Sequence, residues 1–215
     1  NYRDTMMQTL AQAGNDMAAY IDNIKEARRV LVDDVLSSLV TVARDVKFQI
    51  EFNPERVAEY RLIGYETRLL KRTDFNNDRV DSGDIGAGHT VTALYELTLV
   101  GGDTLSYPLR YARKKTEGNV NAEFAFLRIR FKVRGEDRSK LIERTINESD
   151  VITEGVDVPT DARFAAAAAW FAEALRNSPH VPARWSSIRS FADAVIGDDD
   201  PDERQEFLRL VKTAE

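Results

Sequence analysis

The sequence predicts an α+β protein of three successive parts: an N-terminal α/β segment over 1–40, an antiparallel β-sandwich over 41–150 and a helical C-terminal subdomain over 151–215. The spacing of apolar residues carries this prediction. They recur at helical spacing in the first part and change to alternation near residue 41, which is typical of half-buried strands. Helical spacing returns after residue 158.

The first 40 residues predict a helix, a short strand and a second helix. Apolar residues over 4–13 lie on one helical face, and 18–22 is an apolar run of strand type. Asn23 and Glu26 form a capping-box pattern that starts the second helix. A lone parallel strand needs neighbouring strands and helical cover. Because the chain begins at Asn1 within this pattern, we expect the segment to be the end of a larger α/β domain.

About six short strands in the middle part predict the sandwich. In the first strand one face is apolar and the other polar: Val42, Val46, Phe48, Ile50 and Phe52 against Lys47, Gln49 and Glu51. The later strands are expected at 60–68, 90–99, 105–112, 122–133 and 140–146, with a turn at Gly101–Asp103. The apolar face of 122–133 changes phase at Phe126–Leu127, which predicts a β-bulge there.

Three helices are predicted in the last part. The first opens at Pro159 and runs to Arg176, and the second is capped by Ser186 and ended by Gly197. The third starts with Asp200 at the N-cap and Pro201 after it. Their apolar faces are too broad to remain in water, so we expect these helices to dock within the chain.

Composition excludes several classes of protein. The chain has 30 Lys and Arg against 36 Asp and Glu, a net charge of −6 and a pI near 5.2, which argues against a general nucleic-acid or anionic-membrane binder. Cysteine is absent, so there is no disulfide, thiolate metal site or cysteine nucleophile. No apolar run approaches the ~18 residues of a membrane-spanning helix.

The segment from Asp74 to Asp84 is the best candidate for a metal site. The candidate calcium ligands are Asp74, Asn76, Asp78, Asp81 and Asp84. The first three occupy positions 1, 3 and 5 of a calcium-loop pattern, but Arg79 and Ile85 stand where that pattern needs Gly and Glu. The alternative is an Asx-rich connection whose side chains bind their own backbone.

A second candidate site is a basic ridge along the predicted strand 122–133. Its residues alternate and lie on one face: Arg128, Arg130, Lys132 and Arg134. Arg110, Arg113, Lys114 and Lys115 could extend it. The ridge could bind an acidic partner or a polysaccharide, and the alternative is a solvated strand face.

No motif predicts catalysis. The stretch Gly86–His89 lacks the Lys and the following helix of a phosphate-binding loop, so it predicts a turn. His89 and His180 are far apart in sequence, and neither a Gly-x-Ser-x-Gly nor a His-Glu-x-x-His pattern occurs. We therefore expect a protein that is not an enzyme.

Several stretches together resemble a known family. They are Asp45–Pro54, Tyr60–Arg68, Asp74–Asp78 and Gly86–Glu96. They resemble the C-terminal domain of unknown function in bacterial von Willebrand factor type A (VWA) domain proteins. Residues 1–39 resemble the last helix, strand and helix of the VWA domain, and 164–214 resemble the C-terminal helices of the same family.

The resemblance implies a location and a role. It implies a cell-envelope protein that is exported or lipid-anchored. In such a protein this region would support protein–protein binding, with its own VWA domain and an envelope protein as the partners. The Asp-x-Ser-x-Ser metal motif of VWA domains does not occur in these residues, so no metal ligand carries over. The alternative function is a calcium-stabilised binding module that uses the Asp74–Asp84 segment.

Overall fold

The structure is a computed structural model that describes residues 4–13, 19–34, 40–64, 70–80, 82–104, 123–152, 158–181, 184–198 and 202–215. Helices lie towards both ends of the sequence and two antiparallel sheets come between them, so the predicted α+β class is confirmed. The chain divides into two compact units. The first comprises 1–52, 69–92 and 125–146, and the second comprises 53–68, 93–124 and 147–215. The predicted domain boundaries after residues 40 and 150 stay a prediction.

Along the chain, two helices come first, six strands follow, and three further helices come last, within the described residues. The helices are α1 (Asp4–Ala13), α2 (Ile24–Arg28), α3 (Thr160–Leu175), α4 (Trp185–Ala194) and α5 (Glu203–Ala214). The strands are β1 (Thr41–Phe52), β2 (Val57–Ile63), β3 (Gly83–Gly86), β4 (Leu94–Leu99), β5 (Glu123–Val133) and β6 (Lys140–Asn147). α2 continues as a π-helical turn over Arg29–Asp34, and 3₁₀ turns lie at Arg72–Asp74 and Glu148–Asp150.

The predicted N-cap of α2 is confirmed, whereas the predicted strand before it is not. The Asn23 side-chain oxygen accepts a hydrogen bond from the Glu26 amide at 2.8 Å. Residues 19–22, the described part of the predicted strand 18–22, form no strand. A strand needs a hydrogen-bonded neighbour, and within the described residues none pairs with 19–22.

The first unit contains a four-stranded sheet of order β3-β1-β5-β6, in which β1 is antiparallel to both neighbours. In the pairing of β5 with β1, the bulge predicted at Phe126–Leu127 does not occur. The register runs without a shift from Lys47 opposite Arg130 to Phe52 opposite Ala125.

The bulge lies in β1 instead. Between the pairs Arg44–Lys132 and Lys47–Arg130, β1 has one more residue than β5. Asp45 within this interval has a left-handed φ of 52°. An extra residue in one strand shifts the phase of its side chains, so the bulge changes which residues share a face.

The bulge shifts the alternation of side chains between the two faces of β1 by one residue. Arg44 and Lys47 share a face, because their partners lie two apart in β5 and side chains alternate along a strand. Val42 lies at a second register shift, between Thr41 and Ala43 in the pairing with β3. The prediction that Val42 shares the face of Val46 assumed unbroken alternation, which these shifts interrupt, and it stays a prediction.

The second unit contains a two-stranded antiparallel sheet of β2 and β4. β2 begins before the predicted start at Tyr60, and β4 begins after the predicted start at Thr90. The short strand β3 was not predicted, and the strand predicted at 105–112 lies outside the described residues. The two sheets belong to different units, and their packing as a sandwich stays a prediction.

The core of the second unit is formed by α3, α4 and α5. Its buried residues are Ala167, Ala174, Ile188, Ala192, Val195, Leu208 and Val211. Aromatic rings pack on this core: Phe171 meets Trp185 and Phe207 edge to face, with ring centroids 6.1 and 5.4 Å apart. The three helices bury one another's apolar faces, and docking of this subdomain against the rest of the chain stays a prediction.

The predicted ends of these helices agree with the structure in part. α3 begins at Thr160, directly after Pro159 as predicted, and ends at Leu175, one residue before the predicted end at Arg176. Ser186 is not an N-cap, because it already lies inside α4. α5 begins at Glu203, later than the predicted start, and 199–201 lie outside the described residues.

Candidate functional site

The polar face of the four-stranded sheet is covered by residues 70–80, here called the covering loop. Phe75 of this loop is buried, and the guanidinium of Arg130 in β5 lies 6.0 Å from its ring centroid. The loop holds several of the predicted metal ligands, and the strand beneath it holds the predicted basic ridge. The structure thus brings the two candidate sites together.

Two ammonium groups from the sheet bind main-chain oxygens of the covering loop. Lys47 is only 3% exposed, and its Nζ donates to the Asn77 carbonyl at 2.6 Å and to the Asp74 carbonyl at 3.4 Å. Lys132 Nζ donates to the Asp78 carbonyl at 3.0 Å. Carbonyl oxygens are ligands that calcium also takes, and here lysine side chains occupy them.

Asp45 connects the bulge to the same cluster. Its carboxylate accepts hydrogen bonds from Lys132 Nζ at 2.6 Å and from the Ser82 amide at 3.3 Å. Its own amide donates to Asp84 Oδ1 at 3.1 Å. The hydrogen bond to Asp45 raises the pKa of Lys132, so Lys132 is held in its charged form.

Asp78 of the covering loop forms an ion pair with Arg130 of β5. Arg130 Nη1 lies 3.3 Å from Asp78 Oδ1 and also donates to Ser139 Oγ at 2.8 Å. Hydrogen bonding from Ser139 and the charge of Arg130 hold the pKa of Asp78 below its ordinary value. The carboxylate of Asp78 therefore already has a cationic partner within the chain.

The structure does not support the predicted calcium site. No group of three or more His, Asp or Glu side chains could hold a metal ion among the residues that the structure describes. Asp81 lies outside them, and Asn76 is exposed. The carboxylates of Asp78 and Asp84 bind Arg130 and the Asp45 amide, as described above. The Asx-rich loop is therefore organised by contacts to the sheet.

The predicted basic ridge is interleaved with acidic partners. Arg128 pairs with carboxylates of β1 and β6 at 3.4 and 3.1 Å, and Arg130 and Lys132 pair as described above. Arg134 lies exposed in the turn after β5. The four other basic residues of the prediction, within 110–115, lie outside the described residues. Binding of an acidic partner by Arg128, Arg130, Lys132 and Arg134 stays a prediction.

The stretch Gly86–His89 forms a turn, as predicted. The His89 amide donates to the Gly86 carbonyl at 3.2 Å, and the Gly86 amide donates to His89 Nδ1 at 3.2 Å. The backbone N–H that a phosphate would need therefore points at the imidazole. His180 belongs to the other unit.

Sequence reasoning missed an ion-pair network in the second unit. Arg61 Nε donates to Glu96 Oε2 at 2.5 Å, and its Nη1 donates to Glu173 Oε2 at 2.8 Å. Glu173 is buried, and hydrogen bonds from Ser178 and Arg61 hold its pKa below the ordinary value. The available signal was Glu173, an acidic residue between two alanines near the end of α3.

Apolar side chains of the N-terminal helices are open to solvent. Ile24 is 90% exposed and Leu31 is 62% exposed, and Met6 and Leu10 of α1 are exposed as well. Among the described residues, none of the helices has the length and apolar character to cross a membrane.

Comparison with known proteins places the chain in a family. The family described as "Uncharacterized protein YfbK, C-terminal" matches residues 37–215. The uncharacterized protein YfbK of Escherichia coli (strain K12) is 42% identical over 219 residues, a match that covers 100% of this chain and 37% of that protein. No solved structure matches the chain. The predicted resemblance to a C-terminal domain of a larger bacterial protein is confirmed: the chain belongs to the YfbK C-terminal family.

Proposed function

We propose that this chain is the non-enzymatic interaction region of a bacterial VWA-domain protein of the cell envelope. Residues 1–39 resemble the end of a VWA domain, and the chain spans only 37% of its relative from Escherichia coli. In this proposal the N-terminal segment completes an α/β domain that precedes it. The remaining residues support binding between that domain and an envelope partner.

The exposed apolar residues of 4–34 are the observation that supports this proposal most directly. Fully burying a side chain such as Ile24 or Leu31 contributes about 1.5–3 kcal/mol. Leaving several of them in water is unfavourable, and they are spaced as the inner face of α/β helices. The occupant that we propose for this face is the upstream α/β domain of the same longer protein.

The non-enzymatic part of the proposal is supported by the cluster around the covering loop. Its charged side chains bind one another and main-chain oxygens. Such pairing stabilises a fold, and it holds the pKa of Asp78 below its ordinary value. The envelope location is proposed from the family resemblance alone, and fractionation of cells that express the longer protein tests it.

Hydrogen exchange of the longer protein tests the docking. We expect amides of 19–34 to exchange more slowly in the longer protein than in the 215-residue chain, because the upstream domain covers them. Amides of α3–α5 serve as the internal control and should exchange alike in both. Equal exchange of 19–34 in the two proteins would contradict the proposal.

A pair of matched variants adds a second readout. In the longer protein, Leu31→Asp should lower the melting temperature, because it places a charge in the proposed contact. Val91→Asp is the control, since Val91 belongs to the same unit and is 64% exposed, against 62% for Leu31. In the 215-residue chain both variants should have little effect. Equal melting temperatures for the two variants of the longer protein would overturn the docking.

A further inference from the structure

Two arginines at one end of the four-stranded sheet have no carboxylate partner. The other cations of the predicted ridge, Arg128, Arg130 and Lys132, bind carboxylates of the chain. Among the described residues, neither Arg44 of β1 nor Arg134 after β5 forms an ion pair. An external anion that binds these two cations therefore does not have to displace an internal carboxylate.

The guanidinium of Arg44 is incompletely hydrogen-bonded by the chain. Its Nη2 donates to the Glu136 carbonyl at 3.4 Å, beyond the ~2.7–3.2 Å of an ordinary N–H···O bond. Its Nε is buried without an acceptor in the described structure, whereas its Nη1, also without one, is reached by solvent. Its charge also acts on Lys132: the hydrogen bond to Asp45 raises the pKa of Lys132, and Arg44 opposes that rise. An anion beside Arg44 would relieve both conditions.

Arg44 and Arg134 meet at the same turn. The Glu136 amide closes the turn 133–136 with a hydrogen bond of 2.9 Å, and Arg134 lies within this turn. Arg44 contacts the carbonyl of Glu136. In the sheet register Arg44 is opposite Lys132, two residues before Arg134, and such diagonal positions are about 7–8 Å apart. One short acidic segment can therefore reach both arginines.

The other charges of this turn do not neutralise the two arginines. Glu136 pairs with Lys140 at 2.9 Å. Asp137 and Arg138 are neighbours of opposite charge, so their contributions to the local potential largely cancel. The positive charges of Arg44 and Arg134 therefore remain for an anion that approaches this end of the sheet.

We propose that Arg44 and Arg134 bind two acidic side chains in one segment of a protein partner. A planar guanidinium matches a carboxylate through parallel hydrogen bonds. The net charge of −6 disfavours the approach of a nucleic acid to the same surface. An envelope protein as the partner rests on the proposed function, whereas the binding of carboxylates rests on the two arginines alone.

A titration followed by ¹H–¹⁵N spectra of the 215-residue chain tests this surface. The probe is tetraglutamate with an acetylated N-terminus and an amidated C-terminus. The matching tetraglutamine peptide and an oligogalacturonate of equal charge, at equal ionic strength, are the controls. We expect saturable shifts of the Arg44, Arg134 and Gly135 amides with tetraglutamate, none with tetraglutamine, and weaker binding of the oligogalacturonate.

Two variants identify the cations. Arg44→Gln should weaken binding of tetraglutamate by about tenfold, the equivalent of one charge-assisted hydrogen bond. Arg134→Gln should weaken it by about threefold, because an ion pair of an exposed side chain contributes less. Arg209→Gln is the control and should leave the affinity unchanged: Arg209 is exposed, and its side chain has no ion pair with any described residue. Unchanged spectra outside the turn show that each variant is folded.

Three results would overturn the proposal: equal binding of tetraglutamine, equal or tighter binding of the oligogalacturonate, or unchanged affinity in the folded Arg44→Gln and Arg134→Gln variants. The outcome is distinguishable from that of the proposed function. Binding of tetraglutamate without docking of the upstream domain would retain this surface and reject the proposed function. Docking without binding of tetraglutamate would do the opposite.

Discussion

Lys47 is buried beneath the covering loop, and its ammonium group is compensated by main-chain dipoles. Its two contacts are to the carbonyl oxygens of Asn77 and Asp74. Burying a charge is costly unless hydrogen bonds replace its hydration. The same bonds satisfy carbonyl groups that would otherwise lose water under the loop. One side chain thus couples the conformation of the loop to the sheet.

Replacement of Lys47 by Met keeps the length of the side chain and removes its donors. Lys47→Met should lower the free energy of unfolding by about 1–3 kcal/mol, since buried carbonyl groups are left unsatisfied. Urea denaturation measures the change. Lys140→Met is the control, because Lys140 is exposed and its pair with Glu136 is a surface pair worth about 0–1 kcal/mol. Equal destabilisation by the two changes would refute this role of Lys47.

At the scale of elements, local sequence signals predict features such as helix starts and helix caps, because these depend only on residues close in sequence. α3 follows Pro159 at its predicted position, and Asn23 caps α2, because each signal acts within one turn. The bulge in β1 was missed, since Asp45 has a left-handed φ without the glycine that would indicate it. The Lys47–Asn77 bond joins residues far apart in sequence, and alternation carries no information about such a pair.

The link between β2 and α3 depends on one buried carboxylate. The pKa of Glu173 is lower in the folded state than its ordinary value near 4.5. A carboxyl group of this kind stabilises the fold above that value, and the contribution is lost as the pH falls through the folded pKa. The Arg61–Glu173 contact should therefore weaken in acid.

Glu173→Gln tests this pH dependence. At pH 7 it should lower the free energy of unfolding by about 1–3 kcal/mol, because Arg61 loses a buried charged partner. The difference from the wild-type chain should shrink as the pH falls below the ordinary value of 4.5 and through the lowered folded-state pKa, because the wild-type carboxyl group then becomes protonated. Thermal melts across this range measure it, with the exposed Glu206→Gln as control. A difference that grows on acidification would contradict the lowered pKa.

At the scale of the whole molecule, the two units differ in how their cores are built. Within the described residues, the second unit has a continuous buried cluster contributed by three helices. In the described part of the first unit the buried apolar residues are Val46, Phe75 and Ala125, and charged contacts accompany them. Protection against local opening increases with buried apolar contact.

Hydrogen exchange of the 215-residue chain should show this difference. Amides of α3, α4 and α5 should exchange more slowly than those of β1 and β5, because opening the helical cluster exposes more apolar surface. Mass spectrometry of peptides from each unit measures the rates. Slower exchange in β1 than in α3 would show that the charged contacts protect the first unit more than its small core suggests.

The cations that bind the main-chain oxygens of the covering loop are the ammonium groups of Lys47 and Lys132, which are part of the chain itself. An ammonium group that belongs to the chain cannot be removed by a chelator, diluted, or exchanged for another ion. The order of this loop is therefore set when the sheet forms, and a change in the divalent-ion content of the surroundings leaves Lys47 and Lys132 in place. The event that would release the loop is a chemical change at these two amines, such as acetylation, which removes the positive charge.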